Sequence, residues 1–127
     1  VIEHVPANTE RTCLDEIARV LKPKGIVILS TNNKHPIAIA LDPAFWGFGH
    51  RHYSQEELKR MLASSGFTAR RVITSGGFWR ISSFVADMVA KHIFKYKIVY
   101  PAFVQRKIAE DFRPGGIMTI HIIAQKK

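Results

Sequence analysis

Two histidines flank a single arginine in the run Gly49-His50-Arg51-His52-Tyr53, the densest cluster of chemically capable side chains in this 127-residue sequence. An imidazole titrates near neutral pH and can move a proton. The Arg51 guanidinium can grip a phosphate or carboxylate through two parallel hydrogen bonds. As metal ligands His50 and His52 fix nothing by themselves, because no third donor lies within motif spacing, and the expected metal complement is none. The bland alternative is a loop that folds its aromatic neighbours Phe45, Trp46 and Phe48 onto the core and leaves Arg51 as a surface charge. A second candidate is Ser30-Thr31-Asn32-Asn33, because ligands of open α/β sheets bind at the carboxyl ends of strands. Asn and Thr are also ordinary turn formers.

These residues need elements to position them. Residues 26–29, Ile-Val-Ile-Leu, are apolar without alternation, which predicts a strand covered by helices on both faces and hence an α/β sheet. Upstream, Leu14, Ile17, Ala18 and Leu21 recur at the spacing of one buried helix face, with Arg11, Asp15, Glu16 and Arg19 opposite. Asn8 or Thr9 can cap that helix, and Pro23 with Gly25 ends it. Val1 and Ile2 read as the end of an earlier strand, left through a loop in which Pro6 biases Val5 away from helix. Residues 34–53 read as a long connection, a type that is usually functional or mobile.

Ser54 and Glu57 make a capping box for a helix that turns Leu58, Met61 and Leu62 inward and stops at Gly66. Residues 67–75 read as a strand, and Arg70-Arg71 suggest an edge position. After Gly76-Gly77, residues 78–112 are helical in pattern, divided by Pro101, with Ile81, Val85, Met88, Val89, His92 and Tyr96 on one face. Arg113-Pro114-Gly115-Gly116 then turns the chain into a last strand at 117–124.

At 46% hydrophobic the sequence is that of one normal globular domain. Its net charge of +9 is uneven: residues 1–69 hold 8 Lys/Arg against 7 Asp/Glu, and residues 70–127 hold 11 against 3. A basic face of this kind suits nucleic acid, anionic lipid or an acidic substrate. The aromatics of residues 45–53 lie apart from most of these cations, so no stacking-plus-charge stripe for nucleic acid is evident. Cys13 is the single cysteine and cannot form an internal disulfide. With no apolar run long enough to span a bilayer, a cytoplasmic protein is the default expectation. The apolar start at Val1-Ile2 predicts a chain cut from a longer protein.

Taken together, Ile2-Glu3-His4-Val5-Pro6, the helix and turn from Leu14 to Gly25, Ile28-Leu29-Ser30-Thr31-Asn32-Asn33, and Gly49-His50-Arg51-His52-Tyr53-Ser54 with Gly66-Phe67 resemble the second half of a class I S-adenosylmethionine-dependent methyltransferase. The likeness is nearest to the small-molecule and lipid-precursor branch that includes the ubiquinone-biosynthesis O-methyltransferases. It covers residues 1–75 and extends to the final strand. It implies strands 4 to 7 of a Rossmann-like seven-stranded sheet, the last antiparallel and inserted between the fifth and sixth. The whole chain, 1–127, would be a partial methyltransferase domain, with a basic, apolar helical insertion at about 78–113. The glycine-rich turn and the ribose-binding acid that hold most of the cofactor in this family have no counterpart in the sequence.

The same resemblance implies site roles. Ile2, Glu3 and His4 would lie beside the methionine part of S-adenosylmethionine, with His4 as the base. Thr31, Asn32 and Asn33 would border a small-molecule acceptor, and Trp46, His50, Arg51 and Tyr53 would line or cover it. The helical insertion suggests a hydrophobic or lipid-linked acceptor with a negative group, and peripheral membrane contact. The chain alone would be inactive. The rival expectation is a non-catalytic basic module at a membrane surface or other anionic partner. A nucleotide-dependent oxidoreductase is disfavoured by Glu3-His4-Val5 together with the Leu21-Lys22-Pro23 turn.

Overall fold

The computed structural model describes residues 2–127, and all of their side chains except those of Pro43, Ala44 and Phe48. After a 3₁₀ turn at Ile2–His4 come helix α1 (Glu10–Val20), strand β1 (Ile26–Asn32), short helices α2 (Pro36–Ala40) and α3 (Pro43–Phe48), and helix α4 (Gln55–Ser64). Strand β2 (Phe67–Ser75), helices α5 (Phe78–His92) and α6 (Ala102–Glu110), and strand β3 (Thr119–Lys126) complete the order.

The strands form one sheet in the order β1-β3-β2, with β3 antiparallel to both neighbours. The last strand thus lies between the two earlier ones, as its sequence resemblance implies. β2 is an edge strand of this sheet, as Arg70-Arg71 suggest. β3 alternates strictly: Ile120, Ile122 and Ala124 are buried, whereas Thr119, His121 and Ile123 face the other side. The buried set meets Leu14 of α1, Leu58 and Leu62 of α4, Leu29 and Phe67 in one core. Such complete burial stabilises by roughly 1.5–3 kcal/mol for each large apolar side chain.

Local chemistry explains most boundaries. Ser54 accepts from the Glu57 backbone N–H while the Glu57 carboxylate accepts from the Ser54 N–H, the reciprocal cap that starts α4. Gly116 packs so tightly that a Cβ there would stand 2.1 Å from the Ser75 carbonyl carbon, and Gly76 opposite has φ +88°. Only residues without Cβ allow the β2 exit and the β3 entry to touch in this way.

Several expectations are corrected. Ile2 sits in a 3₁₀ turn instead of a strand end, because its apolar side chain is buried against the core while no partner strand pairs with it among the described residues; Val1 lies outside those residues. β1 is covered on one face only: Val27, Leu29 and Thr31 turn inward, but Ile26 and Ile28 are 60% and 70% exposed. Both α1 and α4 lie on the same side of the sheet, which leaves that outer face bare among the described residues. The connection at 34–53 is not irregular but carries α2 and α3, started by Pro36 and Pro43 at positions where a missing N–H costs nothing. Thr9 precedes α1 without capping it, its hydroxyl donating to the Pro6 carbonyl instead.

The buried face of α5 also differs from the expected apolar stripe. It centres on Ser83 and Ala90, whereas Val89, His92 and Tyr96 are exposed. The segment after α5 folds back on that face: the Tyr100 hydroxyl donates to the Ser83 carbonyl and the Tyr96 N–H to the Ala90 carbonyl. Small residues there let backbone approach backbone. The last strand starts at Thr119, two residues later than its pattern predicts.

Candidate functional site

The carboxyl end of β1 is extended sideways by a parallel bridge between Asn33 and Tyr53. The Tyr53 N–H donates to the Asn32 carbonyl at 3.0 Å, and the Lys34 N–H to the Tyr53 carbonyl at 2.8 Å. This short ladder draws residues 50–53 alongside residues 31–33, so the two polar clusters singled out in the sequence become one surface. The Ile2–His4 turn closes it from a third side, since Thr31 Oγ1 donates to the Glu3 carboxylate at 2.8 Å.

Within this surface the side chains have distinct duties. The His4 ring stacks on His50 with centroids 4.9 Å apart, and its side chain is 69% exposed. His4, Glu3, Val5 and His50 help line an open cavity of about 530 Å³. Asn32 reaches His50, its Nδ2 standing 3.1 Å from Nδ1. Asn33 turns away, donating to the Ile117 carbonyl at 2.9 Å and so tying the end of β1 to the approach of β3.

Arg51 is inward-facing. Its guanidinium pairs with Glu10 and donates to the carbonyl of Val5, with longer contacts of 3.3 Å to the carbonyls of Ile2 and Glu3. It therefore braces the turn that carries His4. Tyr53 is buried and its hydroxyl donates to the same Glu10 carboxylate at 3.1 Å. Burial, and then that hydrogen bond, push the phenol up to about 12, so it remains a proton donor at all ordinary pH. Trp46 stands apart from this cluster, largely exposed, with its ring edge against Phe45 and its Nε1 donating weakly to the Ala40 carbonyl at 3.4 Å.

Sequence reasoning missed Asp42, in the turn between α2 and α3. Its Oδ2 lies 2.7 Å from His50 Nδ1 and 2.9 Å from His52 Nε2. Asp42, His50 and His52 border a cavity of about 200 Å³ with Asn32, Arg80 and Thr119. A Leu-Asp-Pro turn carries no signal of this role. The spacing to the histidines, eight and ten residues, is bridged by α3.

No protein-family profile and no curated protein matches the chain. Among solved structures, the chain is similar in fold to two longer proteins. It superposes on a protein of Galdieria sulphuraria assigned as a sarcosine dimethylglycine methyltransferase, with TM-score 0.56 and 18% identity over 98% of this chain and 49% of that one. It also superposes on the 4+2 cyclase SpnF, with TM-score 0.51 and 20% identity over 93% of this chain and 44% of the other. The chain thus spans about half the length of the solved structures it matches. Among the described residues no helix is long and apolar enough to cross a membrane.

Proposed function

We propose that this chain supplies the acceptor side of an S-adenosylmethionine-dependent methyltransferase. The observation that carries the reading is the joining of the Ile2–His4 turn, the polar end of β1 and residues 50–53 into one cleft, on a chain with the methyltransferase fold. In the seven-strand scheme of that class, β1, β2 and β3 would be strands 5, 6 and 7. The residues present fit one end of the cofactor: the Glu3 carboxylate and the exposed His4 ring on an open cleft suit its cationic methionine part. Bound there, S-adenosylmethionine would supply an electrophilic methyl group.

Methyl transfer is a displacement at carbon, and most of its catalysis is in-line positioning. His4 is the candidate base for a hydroxyl acceptor, its ring stacked on His50 and mostly exposed, with Nε2 3.7 Å from the Glu3 carboxylate. Thr31 and Asn32 would border the acceptor, with His50 as a wall and Tyr53 behind it; Asn33 and Trp46, expected there from the sequence, turn away from this cleft. Arg51 would act by holding the turn. The exposed Phe94, Tyr96 and Val99, interleaved with Lys95 and Lys97, favour a hydrophobic or lipid-linked acceptor presented at an anionic surface. The same feature supports the rival reading, a non-catalytic module at such a surface.

The test is calorimetric binding of S-adenosylmethionine to the full-length protein, followed by transfer of a labelled methyl group to hydroxylated lipid-like acceptors. His4→Ala is expected to lower kcat by about 10²–10⁴-fold while cofactor binding persists. Absence of cofactor binding in the folded full-length protein would remove the methyltransferase reading and leave the rival.

A further inference from the structure

The aspartate and two histidines beside the end of β1 have an electrostatic need that their mutual contacts do not meet. The His52 side chain is 3% exposed, and its Nδ1 lies 3.0 Å from the Asn33 carbonyl oxygen. A carbonyl only accepts, so Nδ1 carries the hydrogen and Nε2 of the neutral ring is a lone pair. That lone pair faces Asp42 Oδ2 at 2.9 Å, one acceptor against another. His50 differs, because its Nδ1–H can donate to the aspartate. Its Nδ1 is 2.7 Å from the same oxygen, and its buried Nε2 has no hydrogen-bond partner among the described residues. A neutral His50 must therefore leave Nε2 unsatisfied, whether as donor or acceptor. A cation set between the His52 Nε2 lone pair and the Asp42 oxygen would relieve that contact.

We propose that Asp42, His50 and His52 bind a divalent transition-metal ion. Two imidazoles and one carboxylate form a donor set that such ions take, with remaining positions open to water or substrate. The candidate ligand atoms already lie within 4.8 Å of one another. Around an ion with bonds of 2.0–2.2 Å they would stand about 3.3 Å apart, so the carboxylate would withdraw slightly from each ring and the two rings would adjust to the same spacing. The Asn33 carbonyl acts on His52 as outer partners act on metal-bound histidines, fixing tautomer and ring orientation. The open coordination positions would face the cavity of about 200 Å³ that Asn32, Arg80 and Thr119 border. A second grouping, Glu3, His4 and His50, shares His50 with this one, but its His4 is mostly exposed and lacks such an outer partner among the described residues.

The experiment uses the full-length protein stripped with a chelator, then titrated with Zn²⁺ by calorimetry and with Co²⁺ by visible absorption, without S-adenosylmethionine or acceptor. Its failure is thereby distinct from failure of the methyltransferase reading. One Zn²⁺ per chain is expected, together with the visible bands of Co²⁺ held by nitrogen and oxygen. Loss of an outer partner costs a metal site 10–100-fold, so Asp42→Asn, His50→Gln and His52→Gln should each weaken Zn²⁺ by at least ~100-fold. His92→Ala, on the exposed end of α5, should bind as the parent does. Circular dichroism checks each variant, and if the buried His52→Gln does not fold, the less buried Asp42→Asn and His50→Gln carry the comparison. Absence of stoichiometric binding would overturn the proposal. Binding that survives all three ligand substitutions, or that is lost in His4→Ala but kept in Asp42→Asn, would also overturn it.

Discussion

Arg51 shows how a side chain suited to gripping a substrate can instead be used to hold the site together. Its guanidinium meets one carboxylate and several backbone carbonyls of the turn that carries His4, a task that needs a planar fork of donors. Arg51→Met would leave the largely buried Glu10 carboxylate without its cation and those carbonyls without a donor. Breaking a fully buried pair costs 3–5 kcal/mol; both partners here keep some solvent, so about 2 kcal/mol is expected. Arg51→Lys should recover less than half of it, since one ammonium cannot span both groups. Urea midpoints of the three proteins measure this, and equal midpoints for Arg51→Met and the parent would contradict the bracing role. Tyr53 shares the Glu10 oxygen and reinforces the same corner.

At the scale of an element, α4 places residues 50–53 because its N-terminus is anchored directly after them. Glu57, which closes the cap, is held down to about 2, first by its hydrogen bond from Lys34 and then by the Ser54 backbone N–H. A carboxyl lower in the folded than in the unfolded chain binds fewer protons when folded, so its stabilisation is complete above the ordinary value of 4.5 and is lost as pH falls toward about 2. Glu57→Gln should therefore flatten the acid limb in that window by lowering stability at pH 7, where the carboxylate's contribution is complete, and changing little near pH 2, where it is already lost. Thermal unfolding at successive pH values reads the difference. An unchanged acid limb would assign the loss to other carboxylates. Ser54→Ala removes the other half of the cap at a cost of ~1 kcal/mol.

For the whole molecule, charge and exposed apolar surface coincide on one region. Between α5 and α6, Ile93, Phe94, Tyr96 and Val99 are 62% to 80% exposed and alternate with Lys95 and Lys97, a composition suited to the headgroup boundary of an anionic bilayer. The full-length protein is expected to sediment with vesicles containing phosphatidylglycerol and not with phosphatidylcholine alone. Binding should weaken steeply between low and physiological salt, and Lys95→Glu with Lys97→Glu should abolish it. Equal binding to both vesicle types would leave the basic residues without this role. The bare outer face of β1, with Ile26 and Ile28, is a separate apolar surface on the other side of the sheet from α1 and α4.

Much of this protein was legible as sequence because it rests on short-range physics. The capping box at Ser54, the buried face of α1 through Leu14, Ile17 and Ala18, the β2 bounds and the turn glycines all follow from interactions within a few residues. The order of strands came from resemblance, since a pattern of alternation does not say which strand lies in the middle. Other features depended on tertiary structure. Ile26 and Ile28 are as apolar as Leu29, and only the placement of both helices on one side of the sheet decides that they are exposed. The face of α5 was set by the chain folding back on Ser83 and Ala90, which a helical stripe cannot anticipate. Asp42 met His50 and His52 because α3 and the Asn33–Tyr53 bridge returned the chain to the end of β1. Residue types and spacing determined which side chains can do chemistry; which of them share a site was decided by long-range backbone pairing, which only the folded chain contains.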